Sequence, residues 1–143
     1  MLKLTPSPAA AIGAMFTMLA IGALHAAVPE LGKPVRLALG QIARFENNAI
    51  AVRFDAVDQD SRCPSDTRCI MAGDASVVIS VATGTTRWRR NVLHTDAAKA
   101  ASAVDVAGYR ITLVALDPVP IATRQTRQED YAVSINVTRT SAR

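Results

Sequence analysis

The sequence predicts an all-β domain, an antiparallel β-sandwich or small barrel of about seven strands, preceded by an N-terminal signal helix. Three observations predict it. Apolar residues recur with a period of two through most of the chain after Val28. Asparagine and glycine fall between those runs, where tight turns need them. The only helical suggestion is residues 95–101, an N-cap candidate at Thr95 before an alanine-rich turn that is too short to stand as a helix unless it packs.

Each run has its own argument. Val35, Leu37 and Leu39 form a weak first strand. Ile42–Phe45 and residues 49–57 flank Asn47-Asn48, and asparagine tolerates the positive φ of a hairpin turn. In the second of these, Ile50, Val52, Phe54 and Ala56 share one face, opposite Ala51, Arg53 and Asp55. Val77, Ile79 and Val81 alternate with Ser76, Val78 and Ser80, and Gly84 separates them from a strand over residues 87–93. Gly108 separates residues 104–106 from residues 109–116. There Tyr109, Ile111, Leu113 and Ala115 share a face, and Val114 and Leu116 give a second apolar face that suggests a central strand covered on both sides. Residues 118–129, with Pro118, Pro120 and many polar side chains, read as a long crossover. Tyr131, Val133, Ile135 and Val137 line the last strand. The expected core is Val52, Phe54, Val77, Ile79, Val133 and Ile135.

The first 26 residues read as a cleavable export signal. Lys3 supplies a positive start, and residues 9–24 are uncharged and apolar over the length of a signal core, short for a membrane span. Cleavage after Ala26 leaves residues 27–143 as a single β domain. Position −3 would be Leu24 or His25, not a small residue, which keeps a retained anchor as the alternative. The expected location is the periplasm or the medium.

The formal net charge is +4 on 143 residues. A balance of this size serves solubility and lacks the clustered basic face that nucleic-acid binding requires. No phosphate loop, histidine metal pair or nucleophile elbow is present, and His94, the one histidine after the signal, ends a strand. The expected class is therefore noncatalytic, with no cofactor, and with an envelope protein or an anionic glycan or lipid headgroup as partner.

Cys63 and Cys69 are the only cysteines. In an oxidising compartment they predict a local disulfide around Pro64-Ser65-Asp66-Thr67-Arg68. Closing so short a loop stabilises by about 2.4 kcal/mol in the chain-entropy model, so the bridge shapes a loop more than it staples a fold. Arg62, Asp66, Arg68 and Met71 are then candidates for an exposed recognition loop. The same segment admits other readings. Two thiols and Met71 form a soft set for copper(I). Asp55, Asp58, Asp60, Asp66 and Asp74 offer oxygens for calcium, without the spacing of an EF-hand. Arg68 on a braced loop suits a trypsin-like protease pocket. A redox role would favour two residues between the cysteines.

The only basic cluster with an aromatic is Arg87-Trp88-Arg89-Arg90. In a strand, Trp88 and Arg90 take one face and Arg87 and Arg89 the other. One reading is a patch for an anionic ligand. The other is an edge strand kept soluble by charge, with Trp88 packed or lying under an arginine. Arg124 and Arg127, in the long loop, are expected in solvent.

The stretch Asp60-Ser61-Arg62-Cys63-Pro64, Cys69 and Ala72-Gly73 before a strand resembles a motif, D-S-R-C-P-x4-C-x-x-A-G, of small exported bacterial proteins, often lipoproteins. Tyr109, Asp117-Pro118-Val119-Pro120 and Asp130-Tyr131 extend the resemblance over residues 50–138. It implies an exported β domain and carries no activity. Met71 stands where those proteins carry an aromatic, usually tryptophan, and the lipid-bearing cysteine has no counterpart here.

Overall fold

A computed structural model describes residues 28–98 and 101–141. The signal segment lies outside the described residues. Eight strands form two four-stranded antiparallel sheets: β1 (Val35–Ala38), β2 (Ile42–Phe45), β3 (Ile50–Asp60), β4 (Ala75–Thr83), β5 (Arg89–His94), β6 (Ala103–Val106), β7 (Tyr109–Asp117) and β8 (Ala132–Arg139). One sheet has the order β1-β8-β7-β6 and the other β2-β3-β4-β5. The chain thus lays down β1, crosses to build the second sheet as a meander, and returns for β6, β7 and β8.

The inner faces meet in one core. Phe45, Ile50, Val52, Phe54, Val77, Ile79 and Leu93 come from one sheet, and Ile111, Val133, Ile135 and Val137 from the other. All six residues expected in the core are fully buried. An aromatic of the size of Phe54 in such a place contributes about 3–5 kcal/mol relative to alanine.

Three bulges break the simple alternation. Phe54 faces Ile79 but Ala56 faces Val78, which leaves Asp55 as an extra residue; Asp58 is extra in the same way between Val57 and Gln59. The core series of β3 is therefore Ile50, Val52, Phe54 and Val57, with Val57 in the place expected for Ala56. In β7, Val114 is the extra residue, so Leu116 turns into the core and Ala115 turns out. Strand β7 is central in its sheet, yet its outer side, with Arg110 and Val114, faces water, so the expectation of a strand covered on both sides is corrected.

Two other expectations change. Residues 118–131 join β7 to β8, which are antiparallel neighbours, so the segment is a long hairpin loop and not a crossover. It carries a single 3-10 turn, Gln128–Asp130. At residues 95–101 the described part shows a turn at Ala97 and Ala98 and no helix. Thr95 and Asp96 are held by Asp74, which leaves the segment as the link from β5 to β6. The β2–β3 turn uses positive φ at Glu46, Asn47 and Asn48, as the asparagine pair suggested. Among the described residues, no helix is long and apolar enough to cross a membrane.

Candidate recognition end of the sandwich

The cysteine loop leaves β3 at Asp60 and returns at β4. Its stem continues the ladder beyond both strands. Ser61 N donates to Asp74 O at 2.7 Å, Asp74 N donates to Ser61 Oγ at 3.1 Å, and Cys63 N donates to Ala72 O at 3.0 Å. Gly73 lies between these rungs with φ +71°, and a Cβ there would sit 1.8 Å from the Ser61 carbonyl oxygen. No side chain fits, so the glycine of the motif is a steric requirement of the stem. Above it Cys63 and Cys69 are joined by a disulfide, with Cα atoms 5.9 Å apart.

Arg62 does not point to solvent. Its guanidinium grips both oxygens of Asp60, Nε to Oδ1 at 2.8 Å and Nη2 to Oδ2 at 2.7 Å. It then donates across to the other sheet, to Leu116 O at 2.6 Å and to Pro118 O at 2.8 Å, on either side of the cis Asp117–Pro118 peptide. The Tyr131 hydroxyl donates to Asp60 Oδ2 at 3.0 Å. Only 15% of the Arg62 side chain and 9% of the Asp60 side chain remain exposed. The expectation of an exposed Arg62 is therefore corrected. Its two carbonyl partners lie more than fifty residues away in sequence, and five fixed donors suit an arginine to such a bracket. Burial pushes the Asp60 carboxyl up, but the bonds from Arg62 and Tyr131 outweigh it, and the carboxyl lies below its usual range.

The long hairpin loop packs onto this stem. Ser65 N donates to Pro120 O at 2.9 Å, and Ala122 N donates to Asp66 Oδ1 at 2.9 Å. Gln128 closes its far end by acting as a strand partner for Val57: its Nε2 donates to Val57 O at 2.6 Å and its Oε1 accepts from Val57 N at 3.0 Å. Strand β2 pairs β3 only as far as Arg53, so Gln128 supplies polar partners that this edge of β3 would otherwise lack.

What stays in water is the tip. Asp66, Arg68 and Met71 are exposed as expected, with Met71 at 70%. Ile70, which the sequence reading did not single out, is fully exposed. Val119 and Ile121 of the hairpin loop are also more than two-fifths exposed. The signal in the sequence was Ile70-Met71, an apolar pair inside a turn-rich segment with no strand to serve.

The metal readings lose their ligands to these bonds. Both sulfurs are joined to each other and are not thiolates. Asp55 takes Arg53 and the Ser80 hydroxyl, Asp58 takes Arg90, Asp60 takes Arg62, and Asp66 takes a backbone N–H. Asp74 holds the start of the β5–β6 link: His94 Nδ1 lies 2.6 Å from Oδ2, and Oδ1 accepts from the Thr95 hydroxyl at 3.0 Å and from Asp96 N at 2.9 Å. Burial alone would raise the Asp74 carboxyl; the bonds from His94, Asp96 and Thr95 outweigh it and hold it at about 2. An ionised carboxylate only accepts, so the contact is a donation from His94 Nδ1, which fits a histidine that fastens a strand end.

The basic cluster divides between two sides, and only Arg89 and Arg90 lie in β5. Trp88 lies on the outer face under the Arg53 guanidinium, 5.0 Å from the ring centre, and Arg90 pairs with Asp58 across β4. Arg53 comes from β3 and Trp88 from the residue just before β5, on either side of β4, and the small residues Ser80 and Ala82 leave room for them to meet above it. Arg87 and Arg89 instead line a cleft beside Val106 and Ala107 of the opposite sheet. Arg87, Trp88, Arg89 and Arg90 are therefore not one patch. Compared with protein-family models, curated proteins and solved structures, the chain matches none.

Proposed function

We propose that this chain is an exported, noncatalytic recognition domain of the cell envelope, which engages a protein partner through the tip of its disulfide loop. The observation that carries this reading is the contrast between a fastened stem and an apolar tip. Disulfide, ladder rungs and the Arg62 bracket hold the loop, while Ile70 and Met71 stand in water at its end. A pre-ordered loop lowers the ordering cost of binding, and large apolar side chains held in solvent are the usual anchors of an interface. Arg68, beside them, has no acidic partner among the described residues, so the complementary surface is an apolar pocket with an acidic rim. Gly32 and Thr140 bond to the end of β8 and to the β6–β7 turn, at the end of the sandwich opposite the tip. The disulfide suits an oxidising compartment, and the resemblance to small exported proteins supports the same location.

A photo-crosslinking residue placed at position 70 in the living cell tests this. A discrete adduct with one envelope protein is expected, lost when Arg68 and Met71 are replaced by Glu and Ser. The control position is Val114, an exposed apolar residue on the outer side of β7. No adduct at position 70, or the same products at both positions, contradicts the reading.

A further inference from the structure

The cations of the described residues that lack an acidic partner can be located. All 12 acidic residues lie among the described residues, and each is engaged. Glu30, Glu46, Asp55, Asp58, Asp60, Asp74, Asp105, Asp117, Glu129 and Asp130 pair with Lys33, Arg139, Arg53, Arg90, Arg62, His94, Arg110, Arg36, Arg127 and again Arg127. Asp66 and Asp96 accept from backbone N–H groups. Among the described residues, the cations left without an acidic partner are Arg44, Arg68, Arg87 and Arg89. Arg44 and Arg68 lie on separate parts of the surface, on β2 and at the loop tip. Arg87 and Arg89 line the same cleft.

That cleft, of about 500 Å3, opens where the free edges of the two sheets, β5 and β6, lie side by side. Its apolar floor is small, Val106 from β6 beside Val81 of β4, which is almost wholly buried. Its wall is the β4–β5 turn, where Thr83 N donates to Thr86 Oγ1 at 3.0 Å and the two hydroxyls lie 3.3 Å apart. Arg89 pairs with Val81 in the ladder, so it shares the inward side of the strand. Arg87 precedes β5, in the β4–β5 connection, and lines the same cleft.

We propose that this cleft binds a small organic phosphate monoester, with Arg87 and Arg89 on the phosphate and the carbon chain over Val81 and Val106. Each guanidinium can give two parallel hydrogen bonds, and a phosphate dianion has enough oxygens for both, whereas one arginine already satisfies a carboxylate. The threonine pair, one hydroxyl bonded to the other, leaves one hydroxyl proton as a neutral donor. The apolar floor distinguishes an organic ester from inorganic phosphate, since each methylene removed from water strengthens binding. The site is separate from the disulfide tip and does not rest on the function proposed for it.

The test is a nitrogen-15 NMR titration of the purified protein with hexyl phosphate and, separately, inorganic phosphate. Saturable shifts confined to residues 81–89 and 106–108 are expected, with hexyl phosphate the tighter ligand by about tenfold or more. Replacing Arg87 and Arg89 together by Gln should weaken binding by about tenfold or more, while Arg44→Gln, which removes an unpaired cation elsewhere, leaves it unchanged. Thermal unfolding of each variant confirms the fold. Sedimentation with phosphatidic acid vesicles, set against phosphatidylcholine vesicles, separates the two sources of such a group. Arginine-dependent sedimentation assigns the phosphate to a lipid, and hexyl phosphate binding without sedimentation assigns it to a soluble ester. Absence of saturation, shifts spread over all surface arginines, or undiminished binding in the double variant overturns the site. Equal affinity for inorganic phosphate overturns the role of the apolar floor.

Discussion

The two ends of the sandwich carry the same three side-chain types joined between the sheets, a tyrosine, a carboxylate and an arginine, in different amounts of water. At the disulfide end Tyr131, Asp60 and Arg62 lie inside. At the other end Tyr109 and Arg139 meet Glu46 of the β2–β3 turn, and Arg139 sits 5.3 Å over the Tyr109 ring with 65% of its side chain exposed. The Tyr109 hydroxyl is the main influence that lowers the Glu46 carboxyl, burial opposes it, and Arg139 adds to it. At the Asp60 end burial is the largest influence and is overcome by the hydrogen bonds and charge of Arg62 together with the Tyr131 hydroxyl. The difference teaches where order is required. The two tyrosines are equally buried, so the difference lies in the ion pairs: an exposed pair can open and be rehydrated at little cost, whereas a buried one leaves an uncompensated charge when it opens. The disulfide end is the one built to stay in a single arrangement.

The largest way to break that end is Gly73→Ala. The new methyl meets the Ser61 carbonyl at 1.8 Å and the residue keeps a positive φ. A loss of about 3 kcal/mol or more is expected in urea unfolding, because the stem must move as a whole. A loss below about 1 kcal/mol would show a stem looser than described.

Replacing Cys63 and Cys69 by serine should cost less, about 2.4 kcal/mol from loop closure alone. The stem rungs and the Arg62 bracket remain, so the variant should still unfold in one cooperative transition. Collapse of the fold would mean that the bridge, and not the bracket, holds this end.

The acid limb should isolate a smaller term. Asp74 is depressed from 3.8 to about 2, so its contribution is fully present above the ordinary value and is lost as pH falls through about 2. Asp74→Asn should flatten the fall in stability over that window and leave its slope near neutral pH unchanged. An unchanged acid limb would contradict the strand-end role given to Asp74.

Much of the fold is legible in the sequence, and for a local reason. Alternation depends on neighbours two residues apart, so Val52, Phe54, Val77, Ile79, Val133 and Ile135 declare their burial. What is not legible depends on the opposite strand. The extra residues Asp55, Asp58 and Val114 look like ordinary members of their runs, and only pairing with β4 and β8 shows where the register shifts. The disulfide and the position of its loop follow from two cysteines. The role of Arg62 does not, because Leu116 O and Pro118 O are backbone atoms with no residue preference to betray them. The exposure of Ile70 follows only once the bracket shows which side of the loop is held.

The central claim is that the disulfide end is held by a buried bracket whose counterpart at the other end is dispensable. Urea unfolding of Arg62→Ala beside Arg139→Ala tests it most directly. The account predicts a loss of about 3–5 kcal/mol for Arg62→Ala, which strands Asp60 and two carbonyls, and for Arg139→Ala a loss of about a third of that or less. Equal losses, or a greater loss from Arg139→Ala, would contradict it.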